Sequence, residues 1–506
     1  MTSHHSIAVI GGGAAGTAFL AAYARELSAD GTALPADVHV FEPTDRFGPG
    51  VAYARDTLAA LLNRPMSAMS VDHNDPGHFR RWLHRSAPRR HTVVLPTPRE
   101  ATSVFAPRAA FGNYLEGVFQ HACGDLEALG ARVTTVRDAV LDVTEENGEY
   151  TVTTAGGGRF TTGSVVLAVG SLPPADVFGL GGAPGFVAQP YPLARSLRRV
   201  DRADEVLVLG CGLTAIDCAL VLSEQGRRVT LASRSGFVPD VRAEATARWD
   251  DSEHAFGAHE LASSGTVRLA EIYALIDTCL RERGTSLRHA IRPYAERLPV
   301  ADLLRSRLAD LGPVGLLQRC VTGMTPAYSA LWRALPPEDQ RTFLRRHNRV
   351  FSCVRNPMPP ENARKLIRLA DAGSLDFRRG ITAVREEAGG GFTAVFSDGR
   401  SARYGGVVNA VGRTLDVTTA PEGSLLRALS RRSLVAPHPA GGVQVEPATN
   451  RALRPDGSPH TGFHVVGDLS SGVHFHSSSM EYVARQAARV ARHTVNASGR
   501  YALQAV

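Results

Sequence analysis

Short apolar runs recur along the chain, and the most regular of them stop at a glycine. Ser6-Ile7-Ala8-Val9-Ile10 reads as a buried strand and runs directly into Gly11-Gly12-Gly13-Ala14-Ala15-Gly16. An Ala/Leu-rich stretch from about Ala14 to Leu27 predicts a helix, and Val38-His39-Val40-Phe41 predicts the next strand, ending on Glu42. The same order returns near residue 205. Val206–Leu209 leads into Gly210-Cys211-Gly212-Leu213-Thr214-Ala215, a helical run to about Gln225 follows, and Val229–Ala232 ends in Ser233-Arg234-Ser235. Two further apolar runs, Val165–Val169 and Val407–Val411, each stop at a glycine, Gly170 and Gly412. The echo predicts two copies of one α/β unit, each closed by such a strand.

The intervening segments are mixed. Gly48-Pro49-Gly50 must be a turn or a close approach of backbone. Pieces of helix are expected at His78–Leu83 and Gly112–Phe119, short strands at Val133–Val136 and Ala139–Val143, and a hairpin over Tyr150–Thr154 and Arg159–Thr162. From about Pro239 to Pro360 strand signals cease and the pattern turns helical, at Ala258–Leu261, Ala270–Arg281, Ala301–Leu311 and Glu338–Arg346. Strands resume at Leu375–Phe377, Ile381–Arg385 and Phe392–Phe396. Thr461–Val466 is a last apolar strand ending in Gly467-Asp468, and Ser477-Ser478-Ser479 offers N-caps for a helix from about Met480 to Thr494. The expectation is an α/β protein with two Rossmann-like dinucleotide-binding domains. The first comprises residues 1–198 and 413–506, the second residues 199–240 and 361–412, with a helical cap over 241–360.

Composition narrows the function. A chain of 506 residues, 43% hydrophobic and 21% charged, can bury several cores. It has no uninterrupted apolar window of about 18 residues and no secretory leader pattern, so the expectation is a cytoplasmic protein without a membrane span. The net charge of +7 invites a nucleic-acid reading, but the cationic residues are scattered, and all of them except Lys365 are arginine. That pattern is a compositional bias, and no nucleic-acid partner is expected. Six cysteines are present without a CxxC pair, which argues against a redox dithiol or a zinc site. Reduced thiols and no metal are the expectation, and a homo-oligomer is left open.

Chemistry concentrates at the glycine turns. Strand, GxGxxG, helix, second strand and terminal acid, in that order, make a dinucleotide site. Gly11 permits the tight turn, Gly13 lets backbone approach a pyrophosphate, and Gly16 lets helix pack on strand. The N–H groups of Ala14 and Ala15 lie at the positive end of the helix, and Glu42 can accept from a ribose diol. In the second copy Gly210, Gly212, Leu213, Thr214 and Ala215 hold the equivalent positions. The following strand ends near Arg234 rather than at an acid, and a guanidinium pairs with a 2′-phosphate that a carboxylate would repel. NADPH is therefore expected there in preference to NADH. His474 and His476, just past Asp468, are candidates for an acid or base near pH 7. Trp82 and Trp332 are expected to pack rather than to bind.

The motifs at 11–16, 210–215 and 461–468 resemble those of the two-dinucleotide-binding-domain flavoproteins. More narrowly, Gly48–Tyr53, Leu62-Asn63-Arg64-Pro65, Gly77–Leu83, Pro107-Arg108 and Gly212–Asp217 resemble a bacterial FAD/NAD(P)-binding group. That group includes nitrosuccinate-forming aspartate N-monooxygenases and is akin to single-component N-hydroxylating monooxygenases. The resemblance implies FAD at Gly11, Gly13, Gly16, Glu42, Gly467 and Asp468, and NAD(P)H at Gly210, Gly212, Ala215 and Arg234. It implies flavin contact or substrate anchoring for Asn63 and Arg108. It also implies an oxidoreductase that hydroxylates a small amine or amino acid with O2 through a C4a-(hydro)peroxyflavin. The signatures FxGxxxHxxx[WF] and DxxxLATGY of the better-known monooxygenases are not found, so a reductase or dehydrogenase without oxygen transfer, or a non-catalytic FAD-binding sensor, stands as the alternative.

Overall fold

The computed structural model describes residues 6–31, 37–86, 105–243 and 252–504. Two sheets carry the fold. The first has six strands in the order Arg451–Leu453, Pro459–Val465, Ser164–Leu167, Ser6–Ile10, Asp37–Phe41, Val133–Val136, all parallel except the first. The second is wholly parallel, in the order Leu375–Arg379, Arg228–Ser233, Glu205–Leu209, Gly406–Asn409, Phe186–Val187. Its central strands, Glu205–Leu209 and Gly406–Asn409, are buried on both faces, as expected of parallel sheets covered by helices.

The duplication extends past the glycine turns. Each sheet is followed in sequence by a three-stranded antiparallel meander, Val140–Glu146, Glu149–Thr154 and Arg159–Thr162 in one half, Ile381–Glu386, Phe392–Phe396 and Ser401–Tyr404 in the other. In each half the chain then re-enters its sheet beside the first strand, through Ser164–Leu167 or Gly406–Asn409. One boundary differs from expectation. Phe186–Val187 pair with Val407–Val408, so the second sheet already draws on chain before residue 199. Two residues of strand are too short to leave a periodic signal, and only the pairing reveals them.

Helix Ala14–Asp30 packs between Arg108–Ala128 and the long C-terminal helix Met480–Gln504. Its apolar residues point to more than one neighbour, and Phe19, Leu20 and Tyr23 are wholly buried. Between the two segments of the second sheet lies the helical cap. It includes Ser252–Ser263, Leu269–Arg281, Leu287–Glu296, Val300–Ala309, Gly312–Gly323, Tyr328–Ala334 and Asn348–Arg355. Cys279 and Cys320, expected as free thiols, form a disulfide between two of these helices. The two residues are 41 apart in sequence, and a search for local cysteine pairs cannot see a partner that helix packing delivers. Among the described residues no helix is long and apolar enough to cross a membrane, and no group of three or more His, Cys, Asp or Glu could hold a metal.

Candidate functional site

The two glycine turns repeat the same contact. Gly11 has φ +107°, and a Cβ there would lie 2.4 Å from the Ala168 carbonyl oxygen. Gly210 has φ +119°, and its Cβ would lie 2.3 Å from the Ala410 carbonyl oxygen. In each copy the following helix starts directly at the turn, at Ala14 or Leu213, with a glycine N-cap whose lack of a side chain leaves the first N–H groups uncapped. Ala14, Ala15, Leu213 and Thr214 thus present backbone donors at the positive end of a helix, the arrangement that receives a diphosphate. Gly16 faces back on its own strand, where a Cβ would collide with the Gly11 carbonyl and approach Val9, and Ala215 is wholly buried. The Gly48–Gly50 turn reaches this place too, because a Cβ on Gly13 would be 3.1 Å from the Gly50 Cα.

Glu42 is buried at the end of the second strand, and its Oε1 accepts from the Thr44 N–H at 3.2 Å. Gly467 lies against Ala15, and its N–H donates to Gln486 Oε1 at 2.9 Å. Asp468 is buried beside it. Its Oδ2 accepts from Ser171 Oγ and faces the Arg413 guanidinium, while its Oδ1 has no hydrogen-bond partner among the described residues. Ser171 and Arg413 each follow a glycine, Gly170 or Gly412, at which the paired apolar runs stop. The repeated strand ends therefore converge on one carboxylate, a meeting the repeat in the sequence signals only in retrospect.

Phe475 stands between the two candidate histidines. It has φ +64°, unusual for an aromatic residue, and its ring enters the cap, 4.8 Å from Trp332 and 5.4 Å from Phe343 between centroids. Trp332 Nε1 donates to the Gly472 carbonyl at 2.7 Å. His474 is fully buried, with Nδ1 2.8 Å from Ser329 Oγ and Nε2 3.1 Å from Asn450 Oδ1. Burial, aided by Arg489 and Arg333, lowers its pKa to about 3. His476 packs against the ring of Tyr328, the residue before Ser329, and burial with Arg355, Arg413 and Arg64 holds it well below the ordinary histidine range. Both imidazoles are neutral, which corrects the expectation of an acid or base near pH 7. The local sequence showed the histidines but not the arginines that surround them.

Arg108 and Asn63 are set at a junction. Arg108 opens helix Arg108–Ala128, and its Nε is 3.2 Å from Asp217 Oδ2 on the helix after the second glycine turn. Tyr191 donates to the same oxygen at 2.6 Å. Arg108 thus joins the two dinucleotide units. Asn63 is half-buried in the turn after the Leu61–Pro107 bridge. Arg234 is exposed past the strand Arg228–Ser233, and Arg379, the register partner of Ser233, stands exposed at the end of the adjacent strand. Arg379 was missed in the sequence because its strand comes about 140 residues later.

Residues 8–172 match the protein family described as FAD-NAD(P)-binding. This segment is an FAD/NAD(P)-binding domain. No curated protein matches the chain by sequence. Among solved structures, the reduced ornithine hydroxylase of Pseudomonas aeruginosa has a TM-score of 0.59 at 13% identity, covering 98% of this chain and 99% of its own. The L-lysine 6-monooxygenase of Pseudomonas syringae has a TM-score of 0.59 at 17% identity with the same coverage. The ornithine N-hydroxylase of Kutzneria sp. 744, solved with reduced FAD, NADP+ and L-ornithine, has a TM-score of 0.55 at 15% identity and covers 99% of this chain and 100% of its own. The fold of these two-dinucleotide flavoproteins is thus shared over nearly the whole chain.

The residues present fit the cofactors of an FAD/NAD(P)-binding flavoprotein. Asp468 Oδ1 and the buried Ser477 Oγ have no partner among the described residues, and buried oxygens in that state need one. Hydroxyls of a ribityl chain or polar atoms of a flavin ring would supply it. Ser479 caps the C-terminal helix through the Tyr482 N–H at 3.3 Å, so its first turn adjoins the same place.

The buried histidines make acid sensitivity a property of the fold. His464 is held at about 3 by burial and by His493, 3.0 Å away, and His474 at about 3 by burial and its arginines. Their folded pKa lies below the unfolded 6.5, so the stability they lend is complete above that pH and is lost as pH falls from 6.5 towards 3. Each imidazole is expected to cost about 2 kcal/mol at pH 5. Urea melts at pH 7.5 and pH 5 should show the drop, and His474→Gln should remove one share of it. A flat profile between those pH values would refute the assignment.

Proposed function

We propose that the protein is an NADPH-consuming FAD monooxygenase that N-hydroxylates a small, acidic amine or amino acid. The observation that carries this reading is the closure of the cap on the Gly467–Ser479 segment, where Phe475 is clasped by Trp332, Phe343 and Phe351. FAD, when bound, supplies the redox chemistry of hydride acceptance from NADPH and of oxygen activation. The chain must do the rest. The glycine turns would receive the two diphosphates, Asp468 would hold the sugar chain of the flavin, and the aromatic clasp would exclude water, which diverts oxygen to hydrogen peroxide. Arg234 and Arg379 supply two cations where the 2′-phosphate of NADPH would lie, which favours it over NADH. The neutral histidines add no positive charge beside the substrate amine, and with pKa values this low they are not the base that deprotonates it.

The experiment is a coupled assay on flavin-loaded protein. NADPH is expected to reduce the flavin anaerobically at least about tenfold faster than NADH, the ratio a paired 2′-phosphate gives. In air, one acidic amine from a panel should raise NADPH consumption and yield a hydroxylamine product. Stoichiometric peroxide with every amine would instead identify a reductase that passes electrons on without oxygen transfer.

A further inference from the structure

Three arginines from different parts of the chain, Arg64, Arg242 and Arg355, lie within one another's electrostatic reach, and two of them, Arg64 and Arg355, also act on His476. Arg64 follows the Leu61–Pro107 bridge in the FAD/NAD(P)-binding domain, Arg242 follows the Val241–Met358 bridge at the entry to the cap, and Arg355 closes helix Asn348–Arg355 at its exit. Arg355 is only 4% exposed. Its Nη2 donates to Thr325 Oγ1 at 3.1 Å, its guanidinium lies over the Tyr328 ring, 5.9 Å from the centroid, and its Nε has no partner among the described residues. His476 lies against the same ring at 6.1 Å. The Arg242 backbone N–H donates to the Met358 carbonyl at 2.9 Å. Its Nε and Nη2 are buried without a partner among the described residues.

The charges do not balance. Among the described residues one carboxylate stands against Arg64, Arg242 and Arg355, that of Glu481, 3.2 Å from Arg64 and shared with Arg485 at 2.9 Å. Burial and the neighbouring Arg64 and Arg355 pull the Arg242 guanidinium down to about 9. A buried surplus of two positive charges is costly unless something negative enters. The unpartnered Nε and Nη2 of Arg242 lie on one edge of the guanidinium, the fork that takes two oxygens of a carboxylate or phosphate.

We propose that Arg242, Arg355 and Arg64 form a recognition site for a small dianion, with Arg242 as the bidentate anchor. Under the function proposed above, the dianion is the acidic part of the substrate, either two carboxylates or a phosphate, held next to the Gly467–Ser479 segment. The inference rests on that reading for the ligand being a substrate, and on the structure alone for the site.

The test is binding to flavin-loaded protein, followed by calorimetry and by the flavin difference spectrum, with succinate, inorganic phosphate and propionate as probes. Saturable binding of succinate or of phosphate, with propionate at least about tenfold weaker, is expected, and which of the two binds tells the dianions apart. Arg242→Met and Arg355→Met should each weaken that binding at least about tenfold. Arg242→Met should also melt no lower than the parent, because it removes a buried unpaired charge, yet lose the rise in melting temperature that the dianion gives the parent. The proposal is overturned if propionate binds as well as succinate, if both variants bind the dianion like the parent, or if they lose NADP+ in the same proportion. Failure of NADPH to reduce the flavin would sink the proposed function. Indifference to both dianions in a protein that NADPH does reduce would sink this inference alone.

Discussion

Gly210→Ala is expected to slow NADPH-dependent flavin reduction by about 100-fold or more while the flavin stays bound. The residue has φ +119°, a backbone conformation that an alanine adopts only under strain. Its Cβ would press on the Ala410 carbonyl oxygen at 2.3 Å. That oxygen cannot yield, because the Ala410 N–H is tied to the Leu209 carbonyl at 2.8 Å in the adjoining strand. The turn must move instead, and with it the uncapped N–H groups at the start of helix Leu213–Glu224. A shift of about 1 Å at such a site is enough to cost two orders of magnitude. Gly11→Ala makes the same collision in the first copy, 2.4 Å from the Ala168 oxygen, and should lose flavin instead. Stopped-flow reduction by NADPH, with dithionite as the control for a reducible flavin, separates the two. A Gly210→Ala protein reduced at the parent rate would show that the second turn does not hold the coenzyme.

Asp217→Ala is expected to destabilise the protein by about 3–5 kcal/mol. Asp217 is 3% exposed at its side chain and takes both the Arg108 guanidinium and the Tyr191 hydroxyl. Burial raises its carboxyl pKa, and Arg108 and Tyr191 oppose that rise. For Arg108, burial works against the charge, but Tyr191 and Asp217 outweigh it and keep the guanidinium protonated. Removing the carboxylate leaves Arg108 charged and buried, with the Tyr191 ring 5.6 Å away and its ion-pair partner gone. The loss falls between the two dinucleotide units, so flavin release and loss of NADPH reduction should occur together as denaturant rises. Asp217→Asn keeps the Tyr191 contact and should cost less. Arg108→Met with Asp217→Leu should recover most of the loss, since both charges go together. A midpoint of denaturation unchanged in Asp217→Ala would refute the account.

The chain's own sequence carried the local units. Strand, glycine turn and helix at 6–30 and 205–224 are short-range patterns, decided by apolar runs and by a backbone that only glycine can follow, so they were visible in order and nearly to the residue. The doubling, the helical cap and the Gly467-Asp468 turn were visible for the same reason. What only the tertiary structure decided were meetings between distant residues. It brought Ser171 and Arg413 to Asp468, Arg108 to Asp217, Cys279 to Cys320, and Arg64, Arg242 and Arg355 to one place. It also surrounded two histidines expected to titrate near neutrality with packing and arginines that keep them neutral. Periodicity and turn chemistry act over a few residues, whereas burial and charge depend on which elements pack together. A side chain's protonation and partners are therefore set by neighbours that no local pattern names.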